Sequence, residues 1–281
     1  MLDDQEVPFS VREPKTPTPL VVEVPHAGLF VDAMTLSTLV APAIALGRDA
    51  DLYVDELVQD APDFGAALLV AHVSRYVIDL NRAETDLDTL AVEGTNRRSS
   101  PHGLIWRTTT DGRAALSAPL TQVELERRLE SYYRPYHRKL RALLDERVER
   151  FGYAVLLCAH SMPSRGRDGH QDAGKDRADI VPGSRGRTSA APAVIDAVDR
   201  LARESGFSVA HDQPYRGGYS TGHYGRPERR VHAVQIELSR RLYMDELTLA
   251  RKMPDFDRVR GFARALVERL VSVEVPASAR T

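Results

Sequence analysis

Apolar residues recur along the chain in short, nearly unbroken runs, at 20–24, 67–73, 76–80, 154–159, 207–210 and 231–238. Runs of strand length without polar alternation predict strands covered on both faces. Stretches with helical spacing separate several of them, which predicts an α/β sheet rather than a sandwich. The expected fold is a single three-layer α/β catalytic domain over 20–275, with a mixed, mostly parallel central sheet and helices on both faces. Residues 1–19, with Pro8, Pro14, Pro17 and Pro19, predict an irregular N-terminal arm.

Four helical patterns fill the gaps. Residues 51–59 place Val54, Leu57 and Val58 on one side. A longer helix starts at Thr121, where TQVE has the form of a capping box, the threonine oxygen taking an amide proton while Glu124 reaches back. Pro135 predicts a kink or a split in that helix. Residues 191–204 form the third pattern, closed by Gly206, and 256–273 an amphipathic fourth. Residues 85–119 and 164–189 lack periodicity and are rich in Gly, Arg, Asp and Thr, and loops so long inside a domain are functional or disordered.

Composition narrows the classes. A formal charge of −2 over 281 residues gives no electrostatic case for nucleic acid or an acidic membrane. No apolar run approaches the roughly 20 residues of a membrane span, and the acidic start MLDDQEVPF is no signal peptide, so a cytoplasmic, soluble protein is expected. The single cysteine, Cys158, lies inside an apolar run and reads as core. One cysteine excludes an intrachain disulfide and a thiolate-rich metal site, so a metal would need histidine and carboxylate.

The strand ends carry the chemistry. VVEVPHAG runs into His26, YAVLLCAHSMPS into His160 and Ser161, and VSRYVIDLNR into Asp79, Asn81 and Arg82. VHAVQIELSRR holds Gln235 and Glu237 on one face, since alternate strand residues share a side. Each has a plainer reading: a hydrogen-bonded histidine, a structural Asp–Arg pair, or, in RDADLYVDEL, acids complementing a helix dipole. Glu237 within a strand resists such a reading, because an unpartnered buried carboxylate is costly. Two imidazoles, one carboxylate and an open fourth position suit catalytic Zn²⁺, which lowers the pKa of bound water and polarises a carbonyl. A second carboxylate can shuttle the proton to the leaving nitrogen, and an Asn–Arg pair can grip a substrate carboxylate. The set points to hydrolysis of an amide in a small, acidic, amino-acid-like substrate.

With VPHAG, DADLYVDELV, SRYVIDLNR, YYRPYH, AVLLCAHSMPS, RGGYSTGHYGRP and VHAVQIELSRRLYMDE in this order, the chain resembles the N-formylglutamate amidohydrolase family. The resemblance implies a fold distantly similar to zinc carboxypeptidases and hydrolysis of an N-acyl amino acid, above all N-formylglutamate in histidine breakdown. It implies His26 and His160 as zinc ligands, Glu237 as general base, and Asn81 and Arg82 as the carboxylate grip. The glutamate that carboxypeptidases place three residues after the first histidine is Leu29 here. Asp51 is the favoured third ligand, because a helix beginning there puts Val54 and Leu57 inward, and Asp49 is the reserve. Arg75, Arg216, Tyr219 and His223 are further candidates to touch substrate. Gly222 and Arg216 stand where the family pattern has an arginine and a lysine, and the basic loop with Arg177, Arg185 and Arg187 is a candidate anion clamp or a solvated loop.

Two rivals keep the fold and change the chemistry. One is a metal-free binding or regulatory module for anionic metabolites. The other is a serine-type hydrolase using Ser161 and His160, although no G-x-S-x-G elbow surrounds Ser161.

Overall fold

A computed structural model describes residues 7–95, 100–168 and 170–275. The start of the expected arm and short pieces of both long loops therefore lie outside the described residues. The strands are β1 (Phe9–Arg12), β2 (Leu20–Val24), β3 (Ala67–Ala71), β4 (Ala154–Met162), β5 (Ile180–Gly183) and β6 (Val231–Ser239). They form one six-stranded sheet in the order β1-β3-β2-β4-β6-β5. The helices are α1 (Ala33–Thr38), α2 (Ala43–Asp49), α3 (Val54–Leu57), α4 (Gln122–Arg128), α5 (Arg134–Phe151), α6 (Pro192–Glu204), α7 (Tyr219–Tyr224) and α8 (Asp255–Val271). None among the described residues is long and apolar enough to cross a membrane.

The chain divides into two compact units, Met1–Ser10, Pro25–Leu52 and Val70–Lys139 in the first, and Val11–Val24, Tyr53–Leu69 and Leu140–Thr281 in the second. The second unit carries the sheet's centre. β4 pairs in parallel with β2 and β6, while β5 runs antiparallel to β6, so the sheet is mixed. Every residue of β2, β4 and β6 is buried, as expected for strands covered on both sides. One face of β6 presents Gln235, whose side chain bonds the Gly218 amide just before α7. The other presents His232, whose Nδ1 accepts the Ala191 amide just before α6. Helices thus flank both faces of this strand.

His232 makes the fold acid-sensitive. It is 3 % exposed, and burial, helped by the Arg230 charge, lowers its pKa from 6.5 to about 4. Between those values the unfolded chain binds a proton that the folded one refuses, so stability falls as pH drops through this window and is complete above it. His232→Asn, whose amide oxygen can replace Nδ1, is expected to flatten the dependence of Tm on pH there, by an effect on the order of 3 kcal/mol across the window. An unchanged slope would remove His232 as its source.

The long helical pattern resolves into α4, a π-helical turn over Leu129–Tyr133, and α5. The break expected at Pro135 falls just before it, where the wider turn absorbs the missing N–H. Thr121 does cap the Glu124 amide, at 3.2 Å. The Glu124 carboxylate does not reach back; Arg127 and Arg128 hold it at 2.8 Å, so half of the box forms.

Four local expectations change. Residues 76–80 are not a strand but follow a turn closed by the Val77 amide on the Ser74 carbonyl, and their apolar side chains are buried without a ladder. Residues 207–210 reduce to a bridge from Val209 to Ile180. The helix expected over 51–59 shrinks to α3. The arm and the second loop, in turn, contribute β1 and β5, whose ladder bonds need no apolar periodicity.

Candidate metal centre

Pro25 follows the last residue of β2, and His26 comes next, 3 % exposed. Its Nε2–H donates to Asp79 Oδ1 at 2.8 Å, which makes Nδ1 the acceptor nitrogen of the ring. Asp51 Oδ2 lies 3.6 Å from Nδ1, long for a hydrogen bond. Two ligands of one tetrahedral ion with bonds of roughly 2.0–2.2 Å stand roughly that far apart. The Asp51 amide donates to the His26 carbonyl at 2.9 Å, so backbone and side chain bring the two residues together. Asp51 precedes α3 rather than opening it; the residue chosen from helical spacing owes its place to this local bond. Asp49 faces elsewhere, accepting from the Tyr76 hydroxyl at 2.5 Å, the Thr110 amide at 3.1 Å and the Thr110 hydroxyl.

Gly28 explains the small residues after the histidine. A Cβ there would stand 2.2 Å from the His72 carbonyl carbon and oxygen, on the strand of backbone whose carbonyl accepts the Phe30 amide. Gly28→Ala must push two backbones apart, and a loss of about 2 kcal/mol or more is expected in denaturant melts. Wild-type stability would contradict this close approach.

His26, Asp79 and Arg75 shift one another's proton affinity. Burial alone would raise the Asp79 pKa, but the charges of His26 and Arg75 hold it far below the usual carboxylate range. Burial and Arg75 push the His26 pKa down, yet Asp79 and Asp51 outweigh them and it is raised. Nitrogen and oxygen donors and a carboxylate behind the imidazole fit a divalent ion. Arg75 Nη2 donates to His26 Nδ1 at 2.9 Å, so an ion ligated by that nitrogen would take the place of this contact; the guanidinium also pairs with Asp79 at 3.2 Å and lies 4.5 Å over Trp106.

In the second unit, register sets the geometry. Glu23 pairs with Cys158 and His160 with Glu237, so a metal-ligand type and a carboxylate stand level on adjacent strands. The side chains of register partners in a parallel pair share a face. Glu237 is 6 % exposed and its Oε1 accepts from Gln235 Nε2 at 2.8 Å; Gln235 Oε1 accepts the Gly218 amide at 2.8 Å. This chain fixes one carboxylate oxygen. Ser161 Oγ accepts from Arg240 Nε at 3.1 Å, a supporting contact from a group that cannot take its proton. Cys158 is core: burial raises its pKa well above the ordinary thiol value.

One ligand-capable atom each of His26, Asp51 and His160 lies within 4.8 Å of the others, and all three residues are buried, a set that could hold a divalent metal. Asn81 and Arg82 hang from Asp79, whose Oδ1 accepts the Asn81 amide at 2.9 Å and whose carbonyl accepts the Arg82 amide at 3.3 Å. The Arg82 guanidinium is 41 % exposed and pairs with Asp86 at 3.5 Å. Tyr219 and His223 stack, 4.7 Å apart, and Arg141 donates to His223 Nε2 at 3.0 Å. Sequence reading did not give Asp79 its place behind His26, nor Trp106 its bond to Asp79 Oδ2 at 3.0 Å. DLNR carried the signal for the first; nothing local marks the second.

A mixed α/β sheet together with a buried set of two histidines and one aspartate that could hold a divalent metal is in keeping with a hydrolase. The match is more specific than that: residues 18–244 fit the N-formylglutamate amidohydrolase family model, and the chain belongs to that family. It is 36 % identical to an N-formylglutamate deformylase of Pseudomonas putida, over 81 % of this chain and 82 % of that protein. An N-formylglutamate deformylase of Pseudomonas aeruginosa is 34 % identical over 90 % of this chain and 93 % of its own. The crystal structure of N-formylglutamate amidohydrolase from Ralstonia eutropha JMP134 superposes with a TM-score of 0.83 at 32 % identity, covering 94 % and 97 %.

Proposed function

We propose that this protein is a zinc-dependent amidohydrolase that cleaves N-formylglutamate to formate and glutamate, as the names of its curated relatives describe for them. The buried cluster of His26, Asp51 and His160 is the observation that carries the reading. A zinc ion held there would polarise the formyl carbonyl and make water acidic. Asp79 keeps the His26 ring turned with Nδ1 toward Asp51. Glu237, its Oε1 fixed by Gln235, takes the proton of the attacking water and returns it to the departing nitrogen. Asn81 and Arg82 hold the α-carboxylate, and Arg216, Tyr219 and His223 complete the substrate side. The role in histidine breakdown, the cytoplasmic setting and the wider kinship with zinc carboxypeptidases belong to the same reading.

The test is release of formate or acetate from a panel of N-formyl and N-acetyl derivatives of Glu, Asp, Gln and norvaline, with N-formylbutylamine as the member without a carboxylate. N-formylglutamate is expected to lead it. Arg82→Ala is expected to raise KM about 10- to 100-fold with a smaller change in kcat, because an Arg–carboxylate contact acts on binding. Preference for an amide lacking a carboxylate would refute the grip. Ser161→Ala is expected to remain active, which a serine nucleophile would forbid.

A further inference from the structure

The turn after β5 holds an exposed guanidinium in an unusually constrained frame. Arg185, Gly186 and Arg187 have φ of 54°, 75° and 65°. For the two arginines this left-handed backbone costs roughly 1–2 kcal/mol each. A network holds the turn in place: the Asp212 carboxylate accepts the Ser184 amide at 2.7 Å and the Gly186 amide at 2.6 Å. Ser184 Oγ accepts the Arg187 amide at 3.0 Å and donates to His211 Nε2 at 2.6 Å, and His211 Nδ1 donates to Asp199 at 3.0 Å. The Asp–His–Ser order is that of a nucleophile relay. Ser184, however, is wholly buried, and with no open face its hydroxyl fixes a turn instead of attacking a substrate.

What the turn presents is Arg185. Its guanidinium lies across Gly222, where a Cβ would come within 2.9–3.0 Å of Cδ, Nε and Cζ. Its Nη1 donates to the Gly217 carbonyl at 3.2 Å. The next amide, Gly218, bonds Gln235, which bonds Glu237, so this cation is tied through one short relay to the catalytic strand. Arg216 stands beside it: its carbonyl accepts the Arg185 amide at 2.7 Å, and its guanidinium lies near Gly186. The turn's neighbour Arg187 is paired with Asp196 and Arg177 with Asp172. Neither Arg185 nor Arg216 has a carboxylate within ion-pair distance among the described residues. Two adjacent cations held in a strained turn without a counter-ion are arranged for an anion brought from outside.

We propose that Arg185, packed on the bare surface of Gly222 and assisted by Arg216, is the specificity-determining grip for a second, side-chain carboxylate on the substrate. The inference rests on the proposed amidohydrolase reading and adds the residue that selects an acidic over a neutral amino-acid half. Glutarate and butyrate, which differ by the second carboxylate, are the probes, titrated calorimetrically into the metal-loaded full chain. Wild type is expected to bind glutarate at least about tenfold more tightly, and Arg185→Met to lower that ratio by about tenfold or more. Gly222→Ala, in a helix that tolerates alanine, is expected to displace the guanidinium and lower the ratio with Tm maintained. The ratio of kcat/KM for N-formylglutamate over N-formylglutamine should fall in parallel. Wild-type ratios in both variants overturn the proposal, even if N-formylglutamate is hydrolysed. Arg185-dependent glutarate binding in a protein that deformylates nothing leaves the grip standing and overturns the reaction.

Discussion

Glu237→Gln is expected to keep its metal and lose kcat by about 10²- to 10⁴-fold, the range over which a positioned general base contributes. The geometry makes this variant informative. Glu237 is level with His160 across the β4–β6 ladder, and Gln235 already holds one of its oxygens. An amide of the same shape can keep that bond by presenting its oxygen to Gln235 Nε2, but it cannot accept the water proton. Removing a charge from a site 6 % exposed should not destabilise the fold, so Tm is expected to stay level or rise. The checks are formate release, metal content by elemental analysis and a melting curve on the same preparation. Undiminished turnover would take the base role away from Glu237. Lost turnover together with lost metal would mean that the carboxylate supports the ion itself.

The parts of this architecture that the sequence made legible share one physical cause. β2, β4 and β6 are buried on both faces, so their apolar runs stand out against everything around them. His26, His160 and Glu237 were legible because a polar group at or within such a run has to be satisfied by something. The 76–80 run misled for the complementary reason: Tyr76, Val77 and Ile78 are as buried as strand residues, but a turn buries them. Burial is written in the sequence; the ladder that accompanies it is not. β1 and β5 escaped because short edge strands gain from backbone bonds that leave no side-chain pattern. Contacts between distant segments were out of reach altogether. Trp106 on Asp79 and Arg185 on Gly222 join residues whose local sequence announces neither partner.

Chelation is expected to abolish hydrolysis and stoichiometric Zn²⁺ to restore it, and the ligand variants should grade this loss in a set order. His160→Ala and Asp51→Ala each remove a donor from the cluster, and both are expected to lower zinc content and activity together by at least about 10³-fold. Asp49→Asn is the internal control, since its carboxylate serves Tyr76 and Thr110; its cost should appear in stability and not in zinc stoichiometry. Asp79→Asn lies between the two. It donates nothing to the ion but holds His26 Nε2 at 2.8 Å, and loss of such a partner costs about 10- to 100-fold in metal affinity. Competition against a chromogenic chelator reads that difference directly, without reference to turnover. Equal affinities in wild type and Asp79→Asn would separate the buried Asp79–His26 pair from metal binding, and full activity in metal-free protein would separate the cluster from catalysis.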